Sequence, residues 1–146
     1  MIEDVEIQIV EYNSVLQEKS VELRYKVLRE PLGLVYTPEQ LASEWDEIHI
    51  VAIKEEEVIG AMVLKKEDNA CLKMRQVAVD PCQQRTGIGK KLVRFSELYA
   101  QQHHYKSMEL HARENAKDFY LSLNYLIVGD RFTEVGIPHF KMKKLF

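Results

Sequence analysis

The sequence predicts one α/β (α+β) domain in which a sheet is layered with helices. Segments with the period-two alternation of strands and segments with the 3.6-residue period of helices follow one another along the chain. Their order, β-α-α-β-β-β-α-β-α-β-β, is typical of a mixed sheet with helices and not of a bundle or a sandwich. No linker or repeat interrupts the 146 residues, of which 46% are hydrophobic, so we expect a single domain over residues 1–146.

The first half of the chain contains strand and helix patterns separated by turn residues. Polar and apolar side chains alternate at the start, and apolar residues then recur at helical spacing as far as Pro31. Thr37 is a favourable N-cap with proline after it and glutamine three residues on, which predicts a second, short helix. We therefore expect a strand over residues 5–10, helices over 16–30 and 38–45, and a β-hairpin formed by 49–54 and 58–65.

The next strand, residues 70–79, changes phase in its middle. Leu72 and Met74 are even-numbered, whereas Val77 and Val79 are odd-numbered, so strict alternation cannot place all four on one face. One extra residue near Arg75 or Gln76 would restore the pattern as a β-bulge, which often lies beside an active site. A strand buried on both faces is the alternative.

The second half of the chain predicts two further helices and three strands. The segment after residue 87 has a continuous apolar stripe, and the later segments are shorter. We expect a helix over residues 87–102, a strand over 107–112, a helix over 115–123 and a closing strand pair formed by 125–132 and 140–145.

Composition excludes several classes of protein. Twenty basic and 23 acidic residues give a net charge of −3 without a long basic block, which argues against a nucleic-acid or anionic-membrane binder. The N-terminus is acidic, and no apolar run approaches the ~20 residues that span a bilayer. Cys71 and Cys82 have no metal-site or disulfide spacing, so we expect no metal, a cytoplasmic location and a small-molecule partner.

The start of the helix at Gly87 carries the clearest chemical signal. Gly87 and Gly89 lack a Cβ atom, so backbone N–H groups could approach a ligand closely. Unpaired N–H groups and the positive end of the helix dipole favour phosphate or pyrophosphate, and Arg85, Lys90 and Lys91 add positive charge. The spacing matches neither Walker A nor Gly-x-Gly-x-x-Gly, which disfavours nucleotide hydrolysis and dinucleotide binding.

Three segments in order resemble the GNAT superfamily of acetyl-CoA-dependent N-acetyltransferases. Residues 84–89 (Gln-Arg-Thr-Gly-Ile-Gly) are similar to the family's pyrophosphate loop, residues 75–81 to its bulged fourth strand, and residues 115–120 (Asn-x-x-x-Phe-Tyr) to its following helix. Asn124 stands where the family usually has glycine, and asparagine is the next-best residue for a left-handed C-cap. The resemblance covers nearly the whole chain and is weakest over residues 30–47, where such enzymes place their acceptor site.

The resemblance implies a mostly antiparallel, twisted sheet with a bulged central strand, helices on both faces, and acetyl-CoA as the acetyl donor. The bulged strand would offer backbone groups to the pantetheine arm, and the loop amides would hold the pyrophosphate. Asn115 would be a helix N-cap, a cofactor contact or both. The implied cofactor-binding residues are Val77, Ala78, Val79, Gln84, Arg85, Thr86, Gly87, Ile88, Gly89, Lys90, Asn115 and Phe119.

Acetyl transfer also requires a general acid and a general base. Tyr120 matches the family's general acid, although its helical spacing alone would make it a core tyrosine. His139 is the first candidate for the base, since a histidine with a pKa near 6.5 takes up protons at neutral pH. His111 is the rival and also a candidate for binding the acceptor. A carboxylate that acts through water, such as Glu44, Asp46 or Glu47, is the third possibility. Arg24 and Arg29 could bind an acceptor carboxylate or phosphate, or form ordinary surface salt bridges.

These observations predict an N-acetyltransferase that acts on a primary amine of a small molecule by direct transfer in a ternary complex. The alternatives are a non-catalytic acyl-CoA sensor or assembly module, a protein or peptide N-acetyltransferase, and a phosphate-binding protein unrelated to CoA. An exposed strand edge near residues 140–146 would make a homodimer plausible.

Overall fold

A computed structural model describes residues 2–146, which form an eight-stranded mixed sheet with helices on both faces. The strands are β1 (Glu6–Val10), β2 (Ile48–Lys54), β3 (Glu57–Lys66), β4 (Cys71–Val79), β5 (Ser107–Arg113), β6 (Leu126–Ile127), β7 (Phe132–Glu134) and β8 (Ile137–Leu145). The α-helices are α1 (Val15–Arg24), α2 (Pro38–Ala42), α3 (Ile88–Gln102) and α4 (Lys117–Ser122). The predicted fold class is confirmed, with one short strand, β7, added to the predicted order.

The sheet order is β1-β2-β3-β4-β5-β8-β6, and β7 also pairs with β8. Within residues 2–146, β4 and β5 form the only parallel pair, and the other pairs are antiparallel. Alternate residues of the central strands face opposite layers. Met62 and Leu64 of β3 belong to the buried cluster that includes Leu92 of α3, whereas Leu23 of α1 lies outside that cluster.

The predicted bulge lies in β4 at Gln76. Ala78 pairs with Ala61 of β3 and Arg75 pairs with Val63, so β4 has one more residue than β3 between these two pairs. Gln76 has a φ of 56°, a left-handed conformation that is uncommon for glutamine. Because of the extra residue, the apolar side chains before and after the bulge pack against the same core, as the phase change predicted.

The first helix changes type before it ends. α1 begins at Val15, one residue before the predicted start, with Ser14 as its N-cap. It continues as a π-helix over Tyr25–Arg29 and a 3-10 turn over Glu30–Leu32. A π-turn widens the helix and is frequent at functional sites. α2 has the predicted capping box between Thr37 and Gln40, although it ends at Ala42 and not at residue 45.

The end of the chain differs from the prediction. β8 pairs with β5 on one side, and on the other side with β7 at residues 137–139 and with β6 at Met142 and Lys143. Two short strands therefore cover part of the edge over residues 140–146 that favoured a homodimer. Asn124 follows α4 with a φ of 73°, which is the left-handed C-cap conformation that we expected of it. In residues 2–146, no helix has the length and the apolar composition that crossing a membrane requires.

Candidate active site

A cleft of about 650 Å³ opens where the parallel strands β4 and β5 diverge. The two strands pair from Cys71 to Met74 and from Ser107 to Leu110, and no pair joins them beyond these residues. The bulge at Gln76 bends β4 away at this point. Backbone N–H and C=O groups that a sheet would ordinarily pair therefore face the cleft, where a ligand could bind them.

The N-terminus of α3 lies at the end of this bent strand. Gly87 is the N-cap residue, with a φ of 93° and no side-chain cap. Within residues 2–146, the first hydrogen bond of the helix comes from the Lys91 N–H, so the N–H groups of Ile88, Gly89 and Lys90 have no protein acceptor. The first turn also contains no acidic residue, contrary to the usual preference at a helix start. This arrangement is suited to an anionic ligand.

The side chains of the loop before α3 are oriented by local contacts. Gln84 Nε2 donates a hydrogen bond to the Val79 carbonyl at 3.2 Å, and the Thr86 hydroxyl donates to the Gln83 carbonyl. Arg85, with a φ of 65°, and Lys90 are exposed beside the helix start. Lys91 differs from the expectation because its ammonium group donates to the carbonyl groups of Ile2 and Val5 instead of facing the loop.

Of the cofactor-binding residues predicted on the bulged strand and around α4, Val77 and Asn115 line the cleft. Ala78 is buried, whereas Val77 and Val79 are half-buried and pack against the core. Phe119 packs beside the helix start, where a Cβ atom at Gly89 would lie 3.4 Å from the phenyl ring. Asn115 lines the cleft but does not cap α4, whose N-cap residue is Ala116.

Tyr120 projects from α4 into the cleft and is 7% exposed. Burial raises the pKa of its phenol well above the ordinary value, so the hydroxyl is protonated at neutral pH. The ring makes edge-on contacts with Phe119 and Tyr125. No group within residues 2–146 forms a hydrogen bond with the Tyr120 hydroxyl, which leaves this donor available to a ligand in the cleft.

Both candidate bases lie against one carboxylate. His111 Nδ1 is 2.9 Å from Glu134 Oε1, and His139 Nε2 is 3.7 Å from Glu134 Oε2. The sheet register explains why these side chains meet. His139 of β8 pairs with Arg113 of β5 on one side and with Phe132 of β7 on the other. The side chains at alternate positions of β5, β7 and β8 therefore share one face.

Glu134 is one of the charged residues of the cleft that the sequence did not predict. Burial alone would raise its pKa, but the hydrogen bond and charge of His111, with the charges of His139 and Lys73, hold the pKa of Glu134 below the ordinary value. Glu134 is thus ionised at neutral pH. Its place depends on β7, a three-residue strand that follows no clear alternation in the sequence.

The position of Arg24 contradicts the expectation that this residue binds the acceptor. Its side chain is 0% exposed and lies outside the cleft, where the guanidinium forms two hydrogen bonds with Glu44 at 3.0 and 2.8 Å. Arg24 also lies over the ring of Tyr36, at 5.1 Å. The arginine is therefore a buried structural cation that joins α1 to the segment after α2.

Arg29, in contrast, lines the cleft at the end of the π-helix. Its guanidinium lies 4.6 Å from the centre of the Tyr36 ring. Arg113 of β5, which the sequence analysis did not select, also lines the cleft and donates a hydrogen bond to the Leu28 carbonyl at 2.8 Å. Burial and the charge of Arg29 lower the pKa of Arg113, against the opposing charges of Tyr36 and Glu134.

The residues present fit acetyl-CoA. The helix start offers unpaired N–H groups and positive charge to a pyrophosphate, and the diverging strands offer backbone groups to an extended pantetheine arm. Among residues 2–146, no group of histidine, cysteine or acidic side chains has the geometry of a metal site.

Comparisons with known proteins agree with this geometry. A model of the acetyltransferase (GNAT) domain matches residues 22–146. The protein YyaT of Bacillus subtilis (strain 168) is 28% identical over 121 residues, which are 75% of this chain and 81% of that protein. The solved structure of a candidate N-acetyltransferase from Lactobacillus plantarum has a TM-score of 0.87 at 20% identity, and the match covers 97% of each chain.

A second solved structure was determined with a ligand. It is an aminoglycoside 6'-N-acetyltransferase complexed with coenzyme A, with a TM-score of 0.80 at 17% identity and 96% of each chain covered. The two structural matches have the same fold as this chain, and the family model matches well over half of it. The chain belongs to the GNAT family of acetyl-CoA-dependent N-acetyltransferases.

Proposed function

We propose that this protein transfers the acetyl group of acetyl-CoA to a primary amine of a small molecule, directly within a ternary complex. The observation that carries the proposal is the single cleft between β4 and β5, which Tyr120 and His139 both line. A donor bound along β4 and an acceptor near β8 would meet there without a covalent enzyme intermediate. Cys82 is exposed and does not line the cleft, which fits direct transfer.

In this proposal, backbone groups hold the donor. The N–H groups at the start of α3 bind the pyrophosphate, and the backbone at Val77 and Val79 binds the pantetheine arm. Asn115 lies in the cleft with its side-chain amide available to the same arm. These contacts place the thioester near the point where the strands diverge.

His139 is the proposed general base. Its Nδ1 lies 3.0 Å from the Ile137 carbonyl, and because a carbonyl only accepts hydrogen bonds, Nδ1 carries the proton of the neutral ring. The lone pair of Nε2 can then take the proton that the amine must lose, and the Glu134 carboxylate, 3.7 Å away, stabilises the resulting imidazolium. His111 contacts the same carboxylate and is the rival base.

Tyr120 is the proposed general acid. Bond formation between the amine nitrogen and the acetyl carbon is accompanied by cleavage of the carbon–sulfur bond, and the sulfur leaves with a proton from the Tyr120 hydroxyl. Since this hydroxyl has no protein acceptor in residues 2–146, its proton can point toward the sulfur. The proton that His139 removed from the amine can return to Tyr120 through solvent, which balances the cycle.

The experiment combines calorimetric titration of acetyl-CoA with a thiol-release assay on small amines and on peptides. We expect binding, turnover on small amines, and intersecting initial-velocity patterns that show a ternary complex. Tyr120→Phe should lower kcat by ~10² or more while the affinity for acetyl-CoA is nearly unchanged. Tyr99→Phe is the matched control, because Tyr99 of α3 lies outside the cleft.

Three results would contradict the proposal. Turnover on peptides alone would favour a protein acetyltransferase. Acetyl-CoA binding without turnover on any amine would favour a sensor or assembly module. An unchanged kcat of Tyr120→Phe would remove Tyr120 from the mechanism.

A further inference from the structure

The acceptor side of the cleft has an excess of positive charge. Among its lining residues, the cations are Arg29, Lys73, Arg75 and Arg113, and Glu134 is the only carboxylate. The charge of Arg75 is neutralised by a carboxylate that does not line the cleft, since the Arg75 guanidinium lies 2.6 Å from Glu47. Both oxygens of Glu134 face histidines. Three cations, Arg29, Lys73 and Arg113, therefore face a single carboxylate, so this side of the cleft keeps an excess of positive charge.

Arg29 and Arg113 are the two cations held in place by the fold. The Tyr36 ring supports the Arg29 guanidinium from one side, and the Leu28 carbonyl accepts a hydrogen bond from Arg113. Within residues 2–146, neither arginine forms a salt bridge. Two half-buried guanidinium groups that line one cleft without a salt bridge repel each other, and an anion bound by both would relieve that repulsion.

The position of these arginines separates them from the donor's phosphates. Leu110 and Ala112 of β5 belong to the buried cluster that contains Leu92 of α3. His111 and Arg113 alternate with them and so lie on the opposite face of the sheet, beside the π-helix. The pyrophosphate site at the start of α3 has its own cations, Arg85 and Lys90.

We infer that Arg29 and Arg113 bind a negatively charged group of the acceptor, so that the substrate is an amine that also carries a carboxylate or a phosphate. The inference rests on the proposed function and adds the chemical class of its acceptor. A planar guanidinium donates two parallel N–H hydrogen bonds, and a carboxylate and a phosphate can both accept such a pair. Polycationic amines are disfavoured acceptors for the same electrostatic reason.

The test uses matched pairs of amines that differ in charge. Glycine, β-alanine and γ-aminobutyrate are compared with their carboxamides, and phosphoethanolamine with ethanolamine, which distinguishes a carboxylate from a phosphate and brackets the spacing. The preferred anionic member should have a kcat/KM roughly tenfold to a hundredfold above that of its neutral partner, mainly through KM. A diamine should be a poor acceptor.

Arg29→Gln is the main variant, because Arg113 also holds the backbone of the π-helix. We expect the ratio between anionic and neutral members to fall toward one, while the affinity for acetyl-CoA is retained. Arg113→Lys keeps the positive charge but loses the paired N–H donors of the guanidinium. It should therefore reduce the ratio less than Arg29→Gln does. Arg94→Gln, on the exposed face of α3, removes the same charge outside the cleft and should preserve the ratio.

Calorimetric binding of the same pairs to the complex with CoA separates this inference from the proposed function. Anion-selective binding that Arg29→Gln abolishes, without turnover on any amine, would support the subsite and contradict the transferase. Turnover without preference for the anionic members, a ratio unchanged in Arg29→Gln, or no binding of any anionic member at millimolar concentration would overturn the inference.

Discussion

Neutralising Glu44 should destabilise the fold more than replacing its partner Arg24. The two side chains are buried and joined by two hydrogen bonds at 3.0 and 2.8 Å. In residues 2–146, Arg24 has no second carboxylate, and its Nε atom has no acceptor, so Glu44→Gln leaves a buried guanidinium without a counter-charge. After Arg24→Met, by contrast, Glu44 still has the guanidinium of Arg75 at 3.5 Å.

The expected size follows from this difference in partners. A buried charge that loses its only counter-ion costs about 3–5 kcal/mol of the free energy of unfolding, which we expect for Glu44→Gln. Arg24→Met should cost about 1–3 kcal/mol, because one cation still faces Glu44. At roughly 2–4 °C per kcal/mol for a chain of this size, Glu44→Gln should lower Tm by about 6–20 °C. The pair Arg24→Met with Glu44→Leu should recover most of the loss.

Urea unfolding followed by circular dichroism at neutral pH measures these differences. Both single variants should keep the wild-type preference between anionic and neutral amines at a temperature where they are folded, since Arg24 lies outside the cleft. A Glu44→Gln variant within about 1 kcal/mol of the wild type would refute the argument. A larger loss for Arg24→Met than for Glu44→Gln would do the same.

Three further predictions concern the cleft. Gly87→Val should abolish acetyl-CoA binding measured by calorimetry while the fold survives, because a side chain at a φ of 93° is strained by about 1–3 kcal/mol and would obstruct the helix start. His139→Ala should remove the acidic limb of the kcat/KM profile, because the proposed base is then absent. Glu134→Gln should flatten the acid side of a plot of stability against pH. Because the fold lowers the pKa of Glu134, the ionised carboxylate stabilises the folded state above the ordinary pKa of 4.5. This stabilisation disappears as the pH falls through the pKa of the folded state.

Each of these predictions has a matched control. Gly129→Val introduces similar strain at a φ of 80° in open space outside the cleft and should leave acetyl-CoA binding intact. His103→Ala removes a histidine at the end of α3 and should keep the acidic limb. Normal acetyl-CoA binding by Gly87→Val would refute the loop assignment, and a limb that persists in His139→Ala would assign the role of base to His111 or to a carboxylate. An unchanged pH dependence in Glu134→Gln would exclude a stabilising ionised carboxylate there.

Local patterns explain which parts of the fold were predictable. The bulge at Gln76 was predicted because a single inserted residue shifts the apolar phase of β4 on both sides of it. The short helix at Thr37 was predicted from its capping residues. The π-helix left no such signal, since one widened turn does not change the apolar stripe that precedes it.

Residues that depend on distant partners were harder to predict. Arg24 lies on the buried stripe of α1 with Gln17 and Ser20, but its partner Glu44 is too far along the chain for the pair to be recognised from the sequence. Glu134 and Arg113 join the histidines only through the pairing of three strands, and no pattern in a single sequence gives that register.

The divergence of β4 and β5 also has a mechanical consequence. Within residues 2–146, four residue pairs join these strands, and beyond them the ladder between the β1–β4 half and the β5–β8 half is open. A donor bound in the opening, as proposed, would supply backbone contacts across it and stiffen the domain there. Amide hydrogen exchange should therefore slow on both sides of the opening when acetyl-CoA binds, at residues 75–79 and 111–113 together. Part of the rigidity of the domain would then come from its bound substrate and would be lost each time the product leaves.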